Sequence, residues 1–179
     1  MQFTMARIFA TVPIVLCLIP NTLGWNFAAA VLFILASITD YYDGYFARKF
    51  NAVSTMGKFM DPIADKILVS GILVMLAVPG KIDPYLVIIL IARDTFIGGI
   101  RSIAAADGVI IAAKSAGKWK TALQMGAIPA VMIGSLPFLP GYEAWLGHIG
   151  YGLLWVSTVL SITSGIEYYQ GYLEGRRHV

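Results

Sequence analysis

The chain has 179 residues, 58% hydrophobic and only 13% charged, with a mean hydropathy of +0.76. Soluble domains carry about 45–50% apolar and about 25% charged residues, so a water-soluble globular fold and a disordered chain are both disfavoured. A single cysteine, Cys17, rules out a disulfide-stapled secreted module, and the net charge of +3 discriminates little until the charges are placed. An integral membrane protein remains, with room for about six spanning helices.

Six apolar stretches follow in chain order. The first runs from about Met5 to Pro20 and has no small-residue cleavage site, so no cleavable signal peptide is expected. Turn chemistry at Asn21–Gly24 separates it from the second, about Asn26 to Phe50, which ends in a polar segment. The third, about Lys58 to Val78, opens with further acids and closes at the Pro79–Pro84 turn. The fourth, about Pro84 to Ala106, carries Arg93, Asp94 and Arg101 inside it. A lysine-rich entry leads to the fifth, about Gly117 to Leu139, and Pro140–Gly141 leads towards the sixth, about Gly147 to Leu173. No repeat or low-complexity tract interrupts this order. The expectation is one all-α membrane domain over residues 1–179, a six-transmembrane-helix bundle.

Basic residues orient the bundle. With a cytoplasmic N-terminus, 12 of the 13 Lys and Arg residues fall on the inner side and only Lys81 on the outer. Both termini are therefore expected inside. Tyr41, Tyr42, Tyr45, Phe46, Trp119, Tyr168, Tyr169 and Tyr172 would form an inner aromatic belt, with Trp25 and Trp145 at the outer interface.

The acids do not follow surface logic. Asp40, Asp43, Asp61 and Asp65 crowd into 26 residues. The i,i+3 spacing places Asp40 and Asp43 on one helical face, which Gly44, Ala47 and Arg48 continue; Gly57, Asp61 and Asp65 share a face of the next helix at i,i+4. The short turn between the two helices makes them expected antiparallel neighbours, with both acidic faces at the same depth near the cytoplasmic ends. An Asp at a helix centre costs roughly 2.5–3.5 kcal/mol on insertion scales, less near the interface, and four ionised together need a compensating cation. A salt-bridge network through Arg48, Lys58 and Lys66 is the structural alternative. Regular spacing favours hard divalent cations, Mg²⁺ or Mn²⁺, held by carboxylates and substrate phosphates; two such ions about 3.5–4 Å apart clamp a displacement at phosphorus. Gly44, Ala47 and Gly57 are small enough to admit a bulky ligand or to pack helices tightly. Their phase with the acids and Arg48 favours a ligand bearing phosphate.

The run Asp40-x2-Asp43-Gly44-x2-Ala47-Arg48-x8-Gly57-x3-Asp61-x3-Asp65 resembles the complete signature of the CDP-alcohol phosphatidyltransferases, all eight defining residues being present. The resemblance implies six transmembrane helices, a cytoplasm-facing site in the bacterial inner membrane, a homodimer, and transfer of a phosphatidyl group from a CDP-linked lipid to an alcohol with release of CMP. By position, it implies that Asp40, Asp43, Asp61 and Asp65 hold two metal ions and that Asp65 is also the catalytic general base. Gly44, Ala47, Arg48 and Gly57 would line the CDP-lipid pocket.

A second polar group lies downstream: Arg93, Asp94 and Arg101, then Lys114, Ser115, Gly117, Lys118, Lys120 and Thr121, then Gln124 and Met125. Arg93 beside Asp94 is an internal ion pair holding the helix in the bundle, or part of a site. The lysines form an ordinary positive-inside loop, or with Arg101 they grip an acceptor carrying a phosphate. The pattern Arg101 … Gly117-Lys118-x-Lys120-Thr121 … Gln124-Met125 is similar to the bacterial branch of the family whose acceptor is sn-glycerol 3-phosphate and whose product is phosphatidylglycerol phosphate. That similarity implies acceptor-phosphate binding by Arg101, Lys114, Lys118 and Lys120, with CDP-diacylglycerol as donor and no nucleic acid partner. The chain keeps only Thr4 and Arg7 of the interfacial segment with which such enzymes usually open, and has Ser102 where many have an acid.

Serine, inositol phosphate or phosphatidylglycerol are the alternative acceptors. A membrane prenyltransferase would need about nine helices. A cation transporter would hold its acids near the bilayer midplane rather than at the inner face. Cys17 reads as packing, His148 and His178 lie far from the acids, and Glu167 reads as a structural partner for Arg176. Asp107 and Ser115 are marginal acceptor contacts. The small-residue patterns Gly126-x3-Ala130-x3-Gly134 and Ser161-x3-Gly165 weakly nominate a dimer face.

Overall fold

A computed structural model of the chain describes residues 2–49, 55–107, 115–134 and 142–176. It describes their side chains except at residues 2–7, 40–41, 43–48, 55–62, 105–106, 115–118 and 142–144. The described residues form six helices: α1 (Gln2–Leu18), α2 (Leu23–Lys49), α3 (Thr55–Ala77), α4 (Pro84–Ala106), α5 (Ser115–Gly134) and α6 (Tyr142–Arg176). The segment order expected from hydropathy is the helix order. α5 is described as far as Gly134, and the expected end at Leu139 lies outside the described residues; α6 starts earlier and runs further than expected.

Two of the expected turns have visible causes. Asn21, at φ 47°, takes the left-handed conformation that ends α1, and Asn26 donates from Nδ2 to Asn21 Oδ1 at 3.3 Å, tying the turn to α2. Gly80, at φ 75°, closes α3: its N–H donates to Ala77 O at 2.9 Å, and Lys81 N–H donates to Leu76 O at 3.0 Å. This paired closure requires a left-handed residue and therefore favours glycine. It leaves the Lys81 Nζ buried with no hydrogen-bond partner among the described residues.

The core is built where helical spacing stacks apolar side chains. Ile14 and Leu18 of α1, Phe33 of α2, Leu68, Ile72 and Leu76 of α3, Leu86 and Leu90 of α4, Ile128 and Met132 of α5 and Leu154 of α6 are all buried in one cluster. A smaller cluster joins Ile97, Ile100 and Ala104 of α4 to Tyr172 of α6. α5 and α6 share the longest seam; α4 lies on α6, and α3 touches α4. Among the described residues α2 and α3 do not pack directly on each other; α1 and α5 each touch both. The antiparallel pair expected from the short turn is thus replaced, over these residues, by two helices sharing neighbours.

The α5–α6 seam also revises the reading of the small residues. Ala130 and Gly134 face α6 within the chain: a Cβ at Gly150 would come 2.9 Å from Ala130 Cβ, and one at Gly147 would come 2.6 Å from the Gly134 carbonyl carbon. A Cβ at Gly165 would come 3.3 Å from Arg93 Nε. Small side chains there let helices of the same bundle approach closely, whereas a Cβ at Gly126 would meet nothing within 4 Å.

Polarity is inverted relative to a soluble protein. The surface carries large apolar side chains such as Phe9, Val78 and Trp145, each more than 70% exposed, while Asn26, Gln124, Ser157, Thr158, Ser161 and Ser164 are buried. Such a surface is suited to lipid rather than water. Among the described residues one stretch, Trp145–Arg176, is by itself long and apolar enough to cross a bilayer. α3 and α4 are long enough at 23 residues each. Their apolar runs are interrupted by Asp61, Asp65 and Lys66, and by Arg93, Asp94 and Arg101.

Candidate active site

Three helices bring charged groups to one small cavity of about 50 Å³. α3 contributes Asp65 and Lys66, α4 contributes Asp94, and α5 contributes Lys120, Thr121 and Gln124. Helical periodicity explains the grouping. Asp65, Val69 and Leu73 succeed one another at i,i+4 along the lining face of α3, and Lys120 and Gln124 stand one turn apart on α5.

Asp94 is the hinge of the electrostatics. It accepts from Arg93 Nη1 at 2.9 Å and from Lys120 Nζ, so one carboxylate oxygen is shared by two cations and the trio keeps a net positive charge. Arg93 is anchored in turn to α6: its Nε donates to Ser161 O at 2.6 Å and its Nη2 to Ser164 Oγ at 2.8 Å. On the α5 side, Ser157 Oγ donates to Lys120 O at 3.2 Å. The pair at Arg93 and Asp94 is therefore structural in the sense expected from the sequence, and its reach to Lys120 makes it part of the site as well. Lys120 is only 6% exposed and looks across the cavity towards Asp65. Charges held this way, paired and hydrogen-bonded, are the form in which ionic groups are tolerated away from water.

Lys66 reaches the same cavity from the other side. A Cβ at Gly98 would overlap the Lys66 ammonium, so the bare glycine on α4 is what gives that side chain its place. The sequence marks Lys66 only as a bridging cation, although it stands next to Asp65, and it gives Gln124 no role, although Gln124 stands i,i+4 from Lys120.

The remaining expected site residues fall as follows. Asp40, Asp43, Gly44, Ala47 and Arg48 lie in α2, and Gly57 and Asp61 in α3, as the helical spacing required. Their side chains lie outside those described, as does that of Lys118 in α5, and Lys114 lies outside the described residues altogether. Arg101 is not gathered with Lys120: it is exposed, and its guanidinium sits 5.7 Å from the centre of the Tyr168 ring. Asp107 accepts from Tyr172 Oη at 2.8 Å, which ties the end of α4 to α6. Among the described residues no group of three or more metal-ligating side chains is present. The donor chemistry nonetheless fits divalent metals: four carboxylates at one-turn spacing on two helices, the last of them, Asp65, in a cavity that also holds two lysines.

The profile of the CDP-alcohol phosphatidyltransferase family matches residues 1–163. The chain is 36% identical to the CDP-diacylglycerol–glycerol-3-phosphate 3-phosphatidyltransferase of Bacillus subtilis (strain 168), covering 94% of this chain and 91% of that protein. It is 37% identical to the protein of the same name from Rickettsia bellii (strain RML369-C), covering 93% and 91%. A relative of that name from Mycoplasma genitalium is 42% identical, over 70% of this chain and 60% of its own length.

Proposed function

Because the chain belongs to the CDP-alcohol phosphatidyltransferase family, we propose that it transfers the phosphatidyl group of CDP-diacylglycerol to sn-glycerol 3-phosphate, releasing phosphatidylglycerol phosphate and CMP. It is a phosphatidyltransferase of phospholipid biosynthesis. The observation that supports this acceptor is the meeting of Asp65, from the last position of the acidic signature, with the buried Lys120 in one cavity. A carboxylate can take a proton from an attacking hydroxyl, and a lysine held beside it can receive the phosphate at the acceptor's other end.

In the step itself, Asp65 accepts the hydroxyl proton as the acceptor oxygen bonds to the phosphorus bearing diacylglycerol. The bond from that phosphorus to the bridging oxygen of the diphosphate breaks, and CMP leaves with the electron pair. Asp40, Asp43, Asp61 and Asp65 would hold two divalent ions, Mg²⁺ or Mn²⁺, which neutralise the diphosphate and stabilise the leaving phosphate when bound. Arg48 would bind the diphosphate, and Gly44, Ala47 and Gly57 would leave room for the CDP moiety. Asp94 keeps Lys120 in place, and Lys118, Lys114 and Arg101 add positive charge to the acceptor's approach.

The same reading takes residues 1–179 as one six-span domain of the bacterial inner membrane, with both termini and the site on the cytoplasmic side, working as a homodimer. The apolar outer surface and buried hydroxyls support a lipid surround.

Purified protein in detergent, given CDP-diacylglycerol, divalent metal and each alcohol in turn, tests the reading through CMP release. Glycerol 3-phosphate is the expected acceptor, and chelation is expected to abolish release. Robust release with serine but none with glycerol 3-phosphate overturns the acceptor, and no CMP with any alcohol overturns the activity. Asp65→Asn is expected to abolish transfer while CDP-lipid binding partly survives; near-normal turnover would remove Asp65 as the base.

A further inference from the structure

Gln124 is only 5% exposed, lines the cavity with Asp65 and Lys120, and has a side-chain Nε2 with no hydrogen-bond partner among the described residues. A buried amide donor left unpaired costs about 1–3 kcal/mol, and native structures rarely retain one without a use. Its neighbours suggest the use. Lys120 stands one turn away on α5, and Asp65 lies across the cavity on α3. A base, a cation and a neutral amide thus converge on a space of about 50 Å³, room for a short hydroxylated chain or a few waters. Ser70 also lines the cavity, but its hydroxyl already donates to Lys66 O, whereas the Gln124 Nε2 has no partner among the described residues.

We infer that Gln124 is a specificity-determining residue whose amide binds the hydroxyl of the acceptor that does not react. This rests on the reading of glycerol 3-phosphate as acceptor and extends it. That molecule has one hydroxyl to attack, one phosphate to be gripped and one further hydroxyl between them. Asp65 and Lys120 account for the first two, and Gln124 is the buried donor left for the third. A pocket that hydrogen-bonds a substrate hydroxyl discriminates strongly against the analogue lacking it, because the buried partner is then stranded.

The test compares sn-glycerol 3-phosphate with 3-hydroxypropyl phosphate, which keeps the reacting hydroxyl and the phosphate and lacks the central hydroxyl. CMP release is followed with the full chain in detergent at saturating CDP-diacylglycerol and metal. The wild-type kcat/KM is expected to favour glycerol 3-phosphate at least about tenfold. Gln124→Leu is expected to bring the ratio to within about threefold, by loss on the glycerol 3-phosphate side alone, with KM for CDP-diacylglycerol unchanged. A purely structural role would slow both acceptors equally. Equal wild-type kcat/KM for the two acceptors overturns the inference without any variant, so a Gln124→Leu protein that fails to fold does not shelter it. Gln124→Leu that keeps the wild-type ratio also overturns it. If neither phosphate releases CMP while another alcohol does, the acceptor reading fails first and this inference with it.

Discussion

Gly150 gives the sharpest test of how the bundle is held. It lies mid-way along the α5–α6 seam, and a Cβ there would stand 2.8 Å from Val131 N, 2.9 Å from Ala130 Cβ and 3.0 Å from Ala127 O. Two of these three atoms are backbone, so a rotamer change cannot relieve the overlap and the helices must separate by several tenths of an ångström. Overpacking of this kind costs about 1–3 kcal/mol. The substitution also removes a glycine from a helix interior, which returns about 0.8–1.0 kcal/mol. Gly150→Ala is therefore expected to lose up to about 2 kcal/mol. Gly126 and Gly152 have nothing within 4 Å of a Cβ, so alanine at either is expected to gain up to about 1 kcal/mol. The variants then differ by the overpacking cost of about 1–3 kcal/mol, which at about 2–4 °C per kcal/mol for a chain of this size is about 2–12 °C. Thermal unfolding in detergent, followed by the fluorescence of the four tryptophans, reads the difference. A Gly150→Ala melting temperature equal to that of Gly152→Ala would refute the close seam. Restored stability only in a dimer would return the small residues to an intermolecular face.

Three further outcomes follow from contacts described above. Arg93→Met removes the donations to Ser161 O and Ser164 Oγ and leaves Asp94 with Lys120 alone; a loss of about 3 kcal/mol is expected in denaturant titration, and less than 0.5 would dismiss the anchor. Gly98→Ala meets only the mobile end of Lys66, so stability should hold or rise by up to about 1 kcal/mol. Transfer should fall about tenfold, matching Lys66→Met, with no further loss in the double variant; additive losses would separate the two residues. Burial lowers the Lys81 ammonium from 10.5 to about 8. A lysine whose folded value lies below its unfolded one destabilises the fold at neutral pH, and that penalty disappears as the pH rises from about 8 to about 10.5. Lys81→Met should therefore melt higher than wild type at pH 7 and lose that advantage by pH 10; a constant difference would mean Lys81 is not buried in solution.

Periodicity and punctuation made the helices legible. Asn21 and Gly80 both stand in predicted turns and both adopt the left-handed backbone that makes those turns work. The acidic spacing placed Asp40 and Asp43 in one helix and Asp61 and Asp65 in the next. Long-range partners were less legible. Arg93 is held by a carbonyl and a hydroxyl 68 and 71 residues away, and nothing local marks Ser161 or Ser164 for that task. Arg101 and Lys120 looked equivalent as cations near the inner face. Packing separates them, since the site's cavity opens between α3, α4 and α5, whereas Arg101 has Tyr168 beside it. Among the described residues α1 and α5 lie against both α2 and α3, which do not contact each other there; the short connection and the acidic ends that it joins lie outside the described side chains.

The wiring of α4 bears on how the protein is made. Arg93 and Asp94 each cost roughly 2.5–3.5 kcal/mol at the centre of an inserting helix. The groups that steady them, Lys120 on α5 and Ser161 and Ser164 on α6, are synthesised later. A nascent chain that ends at Ala106 holds a helix with only its internal pair for compensation, so if α4 spans the bilayer as proposed, it is expected to settle there as α5 and α6 arrive. A cysteine placed at Ile91 should react with a water-borne maleimide in a chain stopped after α4 and be protected in the complete one. Equal protection in both would mean that α4 enters the bilayer alone. Protection confined to the complete chain would mean that the contacts of α5 and α6 with Arg93 and Asp94 are what keeps the fourth helix in the bundle.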